Sequence, residues 1–156
     1  GIMRLFIRRK GFQKPDETVE DQVIEERDLR EALTWRDRMG ALVTGLHEVV
    51  EALRTDGKIV HIMGASNRGA TIVQATHLDG LIEVAADRDP AKHGKLMPGT
   101  TIPIVSEEES RALKPDVYLA LPYSHVEQFK RREAEFLERG GRFLIPIPTV
   151  HLVGAG

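Results

Sequence analysis

The sequence predicts an α/β fold: a mainly parallel sheet flanked by helices, preceded by an N-terminal strand and a helical segment. From residue 58 onward, short apolar runs alternate with helical patterns and short links, which is typical of parallel sheets. The first run, residues 59–63, leads into a glycine-bounded loop, Gly64–Gly69, and then into a helical pattern. This order brings backbone N–H groups and the positive end of a helix to one point, where a phosphate can bind.

Composition describes an ordinary globular chain and excludes several functions. The 156 residues are enough for one domain with its own core. A net charge of −2 gives no case for binding nucleic acid. No apolar run approaches the roughly 20 residues of a membrane helix, and no signal peptide is apparent. The absence of cysteine excludes thiolate metal sites and thiol nucleophiles. We therefore expect a cytoplasmic protein.

The sequence of the N-terminal third predicts one strand and two helices, which are expected to pack on the main domain. Residues 2–8 alternate weakly, as in a strand, and begin so abruptly that we expect the chain to be one piece of a longer protein. Proline and acidic residues at 15–18 indicate a helix start. The apolar pattern of residues 19–54 is helical but slips in phase near residues 29–35, which predicts a break. Trp35 is expected to anchor helix to sheet. The predicted domains are 1–57 and 58–153.

The remaining chain supplies the rest of the sheet. Pro103 in the short strand at 102–104 argues for an edge position. Ser106 opens a short helix, and the tail from residue 153 is expected to be loose. Strands are predicted at residues 81–87, 102–104, 116–121 and 142–148, and a helix at 126–139.

Polar residues follow three of the predicted strands: Ser66 and Arg68, Asp87 and Arg88, and Tyr123 and Ser124. Because ligands of parallel sheets bind at the carboxyl ends of the strands, these residues predict one small-molecule site. Asp87 lies about 20 residues past the glycine loop, where dinucleotide folds bind a ribose. The loop, however, fits neither the dinucleotide pattern G-x-G-x-x-G nor the full P-loop pattern G-x-x-x-x-G-K-[ST]. A plain tight turn and a helix-capping Asp87 remain alternatives.

No metal site is predicted, because the six histidines lack ligand spacing. Only His93 and His125 fall in strand-end loops, as candidate acid–base groups or simply as solvated loop residues.

Several short motifs together make a family recognisable, and the chain resembles the C-terminal domain of the sugar C-methyltransferases over residues 58–152. The motifs occur in the order Gly64–Gly69, Asp87–Pro90, Lys92–Lys95, Pro98–Ile104, Pro115–Asp116 and Gly140–Pro148. Enzymes of this family methylate a carbon of a deoxysugar carried on a nucleoside diphosphate, commonly dTDP, with S-adenosylmethionine.

The resemblance implies a Rossmann-like domain that holds the nucleotide sugar, with no catalytic residue of its own. In the family, a zinc module and a middle domain that binds S-adenosylmethionine precede it, and the middle domain carries the catalytic residues. Neither is visible in this sequence, so we expect the chain to use no cofactor itself and to act with a methyltransferase domain in cis or in trans. The implied substrate-binding residues are Gly64, Ala65, Ser66, Arg68, Gly69, Asp87, Arg88, Tyr123 and Ser124.

Three positions depart from the family pattern at this site. Arg68 replaces the usual lysine, Ala70 replaces an asparagine, and Tyr123-Ser124 replaces an aromatic–asparagine pair. The nucleotide or sugar accepted can therefore differ from the family's commonest one. Two other functions remain open at this point: an NAD- or CoA-type nucleotide-binding module, and a domain that only packs against a catalytic partner.

Overall fold

The computed structural model describes residues 26–155, so the strand predicted at 2–8 and the helix start predicted at 15–18 lie outside the described residues. The chain divides into two compact units, 1–36 and 37–156, and the second contains the whole sheet. The elements are α1 (Glu26–Thr55), β1 (Val60–Met63), α2 (Asn67–Ala75), β2 (Ala85–Ala86), β3 (Ile104–Val105), α3 (Glu107–Ala112), β4 (Val117–Ala120), α4 (Val126–Arg132), α5 (Ala134–Glu138), β5 (Arg142–Ile145) and β6 (His151–Val153).

The six strands form one sheet in the order β3-β2-β1-β4-β5-β6. All neighbouring pairs are parallel except β5 with β6, which are antiparallel. This arrangement confirms the predicted α/β fold. The chain leaves β1 toward β2 on one side and later returns to place β4 on the other. The carboxyl ends of β1 and β4 therefore flank the point where the strand order reverses, which is where open α/β sheets bind their ligands.

Successive residues of the central strands point to opposite faces of the sheet, and each face has its own core. Val60, Ile62 and Leu119 contribute to the core under α1 and α2. Met63 and Tyr118 contribute to the core under α4 and α5. The near-continuous apolar character of β1 and β4 follows from this burial on both faces.

Helix α1 runs without interruption through residues 29–35, so the predicted break is wrong. Leu33 and Trp35 are 42% and 65% exposed, and the predicted anchoring of Trp35 between helix and sheet stays a prediction. Farther along the helix, Leu46 and Val50 are fully buried. The change in apolar phase therefore marks where the apolar side chains of α1 stop being buried, because exposed side chains need not keep the spacing of a core-facing stripe.

Three other predicted elements differ in length or continuity. The helix predicted at 126–139 is divided at Glu133 into α4 and α5. Only Ala85 and Ala86 of the predicted strand 81–87 form β2, and their neighbour β3 is equally short. Val153, predicted to be in a loose tail, pairs with Phe143 as part of β6. The edge position argued from Pro103 is confirmed, because β3 is the outermost strand.

Candidate functional site

A cavity of about 590 Å³ lies between the loops that follow β1 and β4. Its volume falls within the range of small-molecule sites in proteins. Ser66 and Arg68 come from the start of α2, and Tyr123 and Ser124 come from the turn after β4. The full lining is Ser66, Arg68, Thr71, Ile72, Leu121, Pro122, Tyr123, Ser124, His125 and Ile147.

The start of α2 has unused backbone donors beside this cavity, which Ser66 and Arg68 line. Ser66 is the N-cap, and its hydroxyl oxygen accepts a hydrogen bond from the Gly69 amide at 3.0 Å. The Ala70 amide donates to the Ser66 carbonyl at 2.9 Å. Within the described chain, no hydrogen-bond acceptor is found for the amides of Asn67 and Arg68. Because these amides lie at the positive end of the helix dipole, they are suited to an anionic ligand.

Two glycines let the loops after β1 and β4 approach each other. Gly64 has φ +90°, and a Cβ added there would lie 2.6 Å from Pro122 Cγ. A Cβ added to Gly69 would lie 2.8 Å from Leu121 Cδ1. Residues with side chains at these positions would push the two loops apart, so the glycines determine the width of the cavity at its base.

The charge around the cavity favours an anion. Arg68 is exposed and forms no ion pair with any residue of the described ranges. Of the ten lining residues, none is acidic, while Ser66, Thr71, Tyr123 and Ser124 bring hydroxyl groups. A guanidinium beside two amides without acceptors can bind phosphate oxygens through several hydrogen bonds.

Asp87 lies outside the lining, although it is close to the glycine loop. Its Oδ2 accepts hydrogen bonds from the Ala65 amide and from Lys92 Nζ, each at 2.9 Å. Its Oδ1 accepts one from the Asp89 amide at 2.9 Å. The carboxylate is therefore used by three donors of the protein itself, and only 12% of the side chain is exposed.

A model of the C-methyltransferase C-terminal domain family matches residues 1–148. The chain belongs to this family. The C-methyltransferase NovU of Streptomyces niveus is 37% identical to it over 111 residues, which are 70% of this chain and 26% of that protein. The domain therefore spans about a quarter of the length of the curated relative that it matches. The family resemblance noted in the motifs is confirmed.

The structure brings together part of the predicted site of this C-methyltransferase domain. Ser66, Arg68, Tyr123 and Ser124 share the cavity. Arg88 is exposed and, like Asp87, is not part of the lining. The backbone of Gly64, Ala65 and Gly69 shapes the loop, and the Gly69 amide is already used by Ser66.

Sequence reasoning did not assign several of the lining residues to the site, and two of them could have been predicted from helical spacing. Thr71 and Ile72 follow Arg68 by three and four positions, so helical spacing places all three on one side of α2. Pro122 and His125 flank the predicted pair Tyr123-Ser124. Ile147 carried no signal, because it enters the cavity only through the path of the chain after β5.

The two histidines singled out in the sequence differ in position. His125 lines the cavity. His93 points back into the loop after β2, where its Nε2 lies 2.8 Å from the Asp87 carbonyl oxygen. Within residues 26–155, no cluster of three metal-ligating side chains occurs. No helix in this range is both long and apolar enough to cross a membrane.

A buried chain of polar side chains connects α3 with the neighbouring strands β1 and β4. Ser110 Oγ lies 2.8 Å from His61 Nδ1 and 3.0 Å from the Tyr118 hydroxyl. On its other side, His61 Nε2 faces a carboxylate oxygen of Glu83 at 3.8 Å. Burial lowers the pKa of His61 from 6.5 and raises the pKa of Tyr118 to about 12. Both groups are therefore neutral at pH 7, and we assign them a structural role.

Proposed function

We propose that this domain binds a nucleoside-diphosphate sugar, of the dTDP-sugar type, in the cavity between the loops after β1 and β4. The observation that carries the proposal is the start of α2, where Arg68 lines a cavity free of acidic residues and the adjacent amides of Asn67 and Arg68 have no acceptor within the described chain. Such a site is complementary to a diphosphate. Membership of the C-methyltransferase family supplies the reaction class. The resemblance of the sequence motifs to sugar C-methyltransferases suggests a nucleotide sugar as the source of this anion.

Several polar groups in and beside the cavity have a part in the proposed complex. The diphosphate binds the amides of Asn67 and Arg68 together with the Arg68 guanidinium, because the Gly69 amide is already donated to Ser66. The exposed ring of Tyr123 stacks on the base or covers it, since aromatic rings pair well with nucleobases. Ser124 and Thr71 provide hydroxyl groups for the sugar.

Methyl transfer itself belongs to another domain in this proposal. The chain holds the nucleotide sugar for a methyltransferase domain that binds S-adenosylmethionine, supplied in cis or in trans, and takes part in deoxysugar biosynthesis in the cytoplasm. The alternative of an NAD-type module is less well supported, because the Asp87 carboxylate expected to bind a ribose already accepts three hydrogen bonds from the protein. A ribose contact of Asp87 stays a prediction.

Calorimetric titration with dTDP tests the proposal, with S-adenosylmethionine and NAD as comparison ligands. We expect saturable binding of dTDP alone. The Arg68→Ala variant should bind it about ten- to a hundredfold more weakly, the effect of one lost hydrogen bond from a charged group. Arg131→Ala is the matched control, because Arg131 is exposed on α4 and lies outside the cavity lining. Its affinity should equal that of the wild type.

Three results would count against the proposal. Binding of NAD would move the domain to the dinucleotide class. Equal effects of Arg68→Ala and Arg131→Ala would show that α2 is not the diphosphate site. No binding of dTDP would favour a domain that only packs against its partner.

A further inference from the structure

The loops after β1 and β2 are connected by a side-chain bridge formed by Asp87 and Lys92 around the peptide groups of Ala65. Asp87 Oδ2 accepts a hydrogen bond from the Ala65 amide at 2.9 Å. Lys92 Nζ donates to the same carboxylate oxygen at 2.9 Å and to the Ala65 carbonyl at 3.1 Å. The residue immediately before the N-cap Ser66 is thus held at both its N–H and its C=O.

The bridge is itself held in place by the loop after β2. Asp87 Oδ1 accepts the Asp89 amide at 2.9 Å, and the His93 ring contacts the Asp87 carbonyl oxygen at 2.8 Å. Lys92 lies in the short 3-10 turn that Asp89 caps. These contacts fix the Asp87 carboxylate, and the turn fixes the backbone of Lys92. The bridge therefore couples the position of the loop after β2 to that of the loop after β1.

Neither bridge residue lines the cavity. The side chains of Asp87 and Lys92 are 12% and 38% exposed. Through their contacts with Ala65, they lie just behind the start of α2. A carboxylate in that position without a cation would repel a phosphate at the amides of α2. The Ala65 carbonyl oxygen, if it turned toward the ligand, would also repel a phosphate. The Lys92 ammonium opposes both effects.

We propose that Asp87 and Lys92 are positioning residues, which fix the conformation of the loop Gly64–Ser66 and cancel the charge behind it so that the start of α2 can accept a diphosphate. The inference rests on the proposed function for its ligand. It assigns to Asp87 a role that does not require contact with a ribose. It also accounts for why the acidic residue and the lysine occur in one short segment, five positions apart.

The first test uses Lys92→Met, which keeps most of the side-chain length and removes the charge. We expect the Ala65 amide to exchange its hydrogen faster in the ligand-free protein, because its carboxylate acceptor loses its anchor, while the amides of β1 stay protected. The affinity for dTDP should fall about tenfold, comparable to the loss of one charge-assisted hydrogen bond. Lys95→Met is the control, since Lys95 is exposed in the same loop. Lys92→Arg, which retains a cation, should recover part of the affinity.

The second test separates the charge from the contact. Adding Asp87→Asn to Lys92→Met removes the uncompensated carboxylate and keeps one oxygen for the Ala65 amide. We expect this double variant to bind dTDP more tightly than Lys92→Met alone. A purely structural bridge predicts the opposite, because the second substitution would weaken the loop further.

The failure of this inference differs from the failure of the proposed function. If the wild type does not bind dTDP, the proposed function is wrong, and the exchange rate of Ala65 still decides whether the bridge holds the loop. If Lys92→Met matches Lys95→Met in both exchange and affinity, the bridge has no positioning role. A double variant weaker than Lys92→Met would overturn the charge argument.

Discussion

Acidification should destabilise this domain through His61. The ring is fully buried in β1, with Nδ1 at 2.8 Å from Ser110 Oγ. Burial is the largest influence on its pKa, which lies below 6.5; the nearby Glu83 carboxylate opposes the shift, and Arg54 adds to it. In the protonated ring Nδ1 can only donate to Ser110 Oγ, so the Ser110 hydroxyl would then have to donate to another acceptor such as the Tyr118 oxygen. The folded state therefore favours neutral His61.

The sign and size of the effect follow from proton linkage. The unfolded chain binds a proton at His61 near its ordinary pKa of 6.5, and the folded chain binds it only at lower pH. The contribution of this residue to stability is thus complete above pH 6.5 and is lost as the pH falls through the folded-state pKa. Within that window, the free energy of unfolding should fall by up to about 1.4 kcal/mol for each pH unit.

Urea denaturation followed by circular dichroism, from pH 7.5 to about pH 5, measures this slope. His61→Gln keeps a hydrogen-bonding group beside Ser110 but does not titrate, so its stability should change less over the range. His125→Gln, at an exposed position, should retain the slope of the wild type. A His61→Gln variant with the same slope as the wild type would refute the reasoning, as would a wild type that gains stability on acidification.

Two further substitutions test the packing around α5. Glu133→Gln should lower the free energy of unfolding by about 2 kcal/mol. The Glu133 carboxylate is 1% exposed and pairs with the partly exposed Arg111 at 2.7 Å. Glu135→Gln, on the exposed side, is the control. Gly141→Ala should lower the free energy of unfolding by about 3 kcal/mol, since an added Cβ would overlap the ring and the carbonyl oxygen of Phe136. Urea denaturation measures the stability of both variants. A Gly141→Ala variant as stable as the wild type would contradict the packing described for α5.

Local chemistry predicted the parts of the fold that depend on neighbours in sequence. Ser106 caps α3 and forms a reciprocal pair of hydrogen bonds with Glu109, as a serine three residues before a glutamate suggests. Pro103 predicted an edge strand because it cannot donate to a ladder, and β3 is outermost. The loop Gly64–Gly69 was predicted between a strand and a helix, and it connects β1 to α2.

Features that depend on distant partners were not accessible in the same way. The break at Glu133 accompanies an ion pair with Arg111, which is 22 residues away in sequence. Similarly, the position of Asp87 was predicted correctly at the end of β2, but its hydrogen bonds depend on how the Lys92 side chain crosses to Ala65. Periodicity reports which faces are buried, and it contains no information about which buried or half-buried charges meet.

The glycine loop shows how one pattern can have a physical cause different from the one first assigned. In sequence, Gly64 and Gly69 indicated a backbone able to approach a phosphate. In the structure, an added Cβ at each glycine would instead meet the loop after β4, at Pro122 and Leu121. The spacing of five is that of the P-loop glycines, but Ala70 stands where that signature has its lysine. Both glycines lie instead at a contact between two loops of the protein. The glycines bring the β4 loop beside α2, and the amides available to a ligand are those of Asn67 and Arg68, two of the four residues between the glycines.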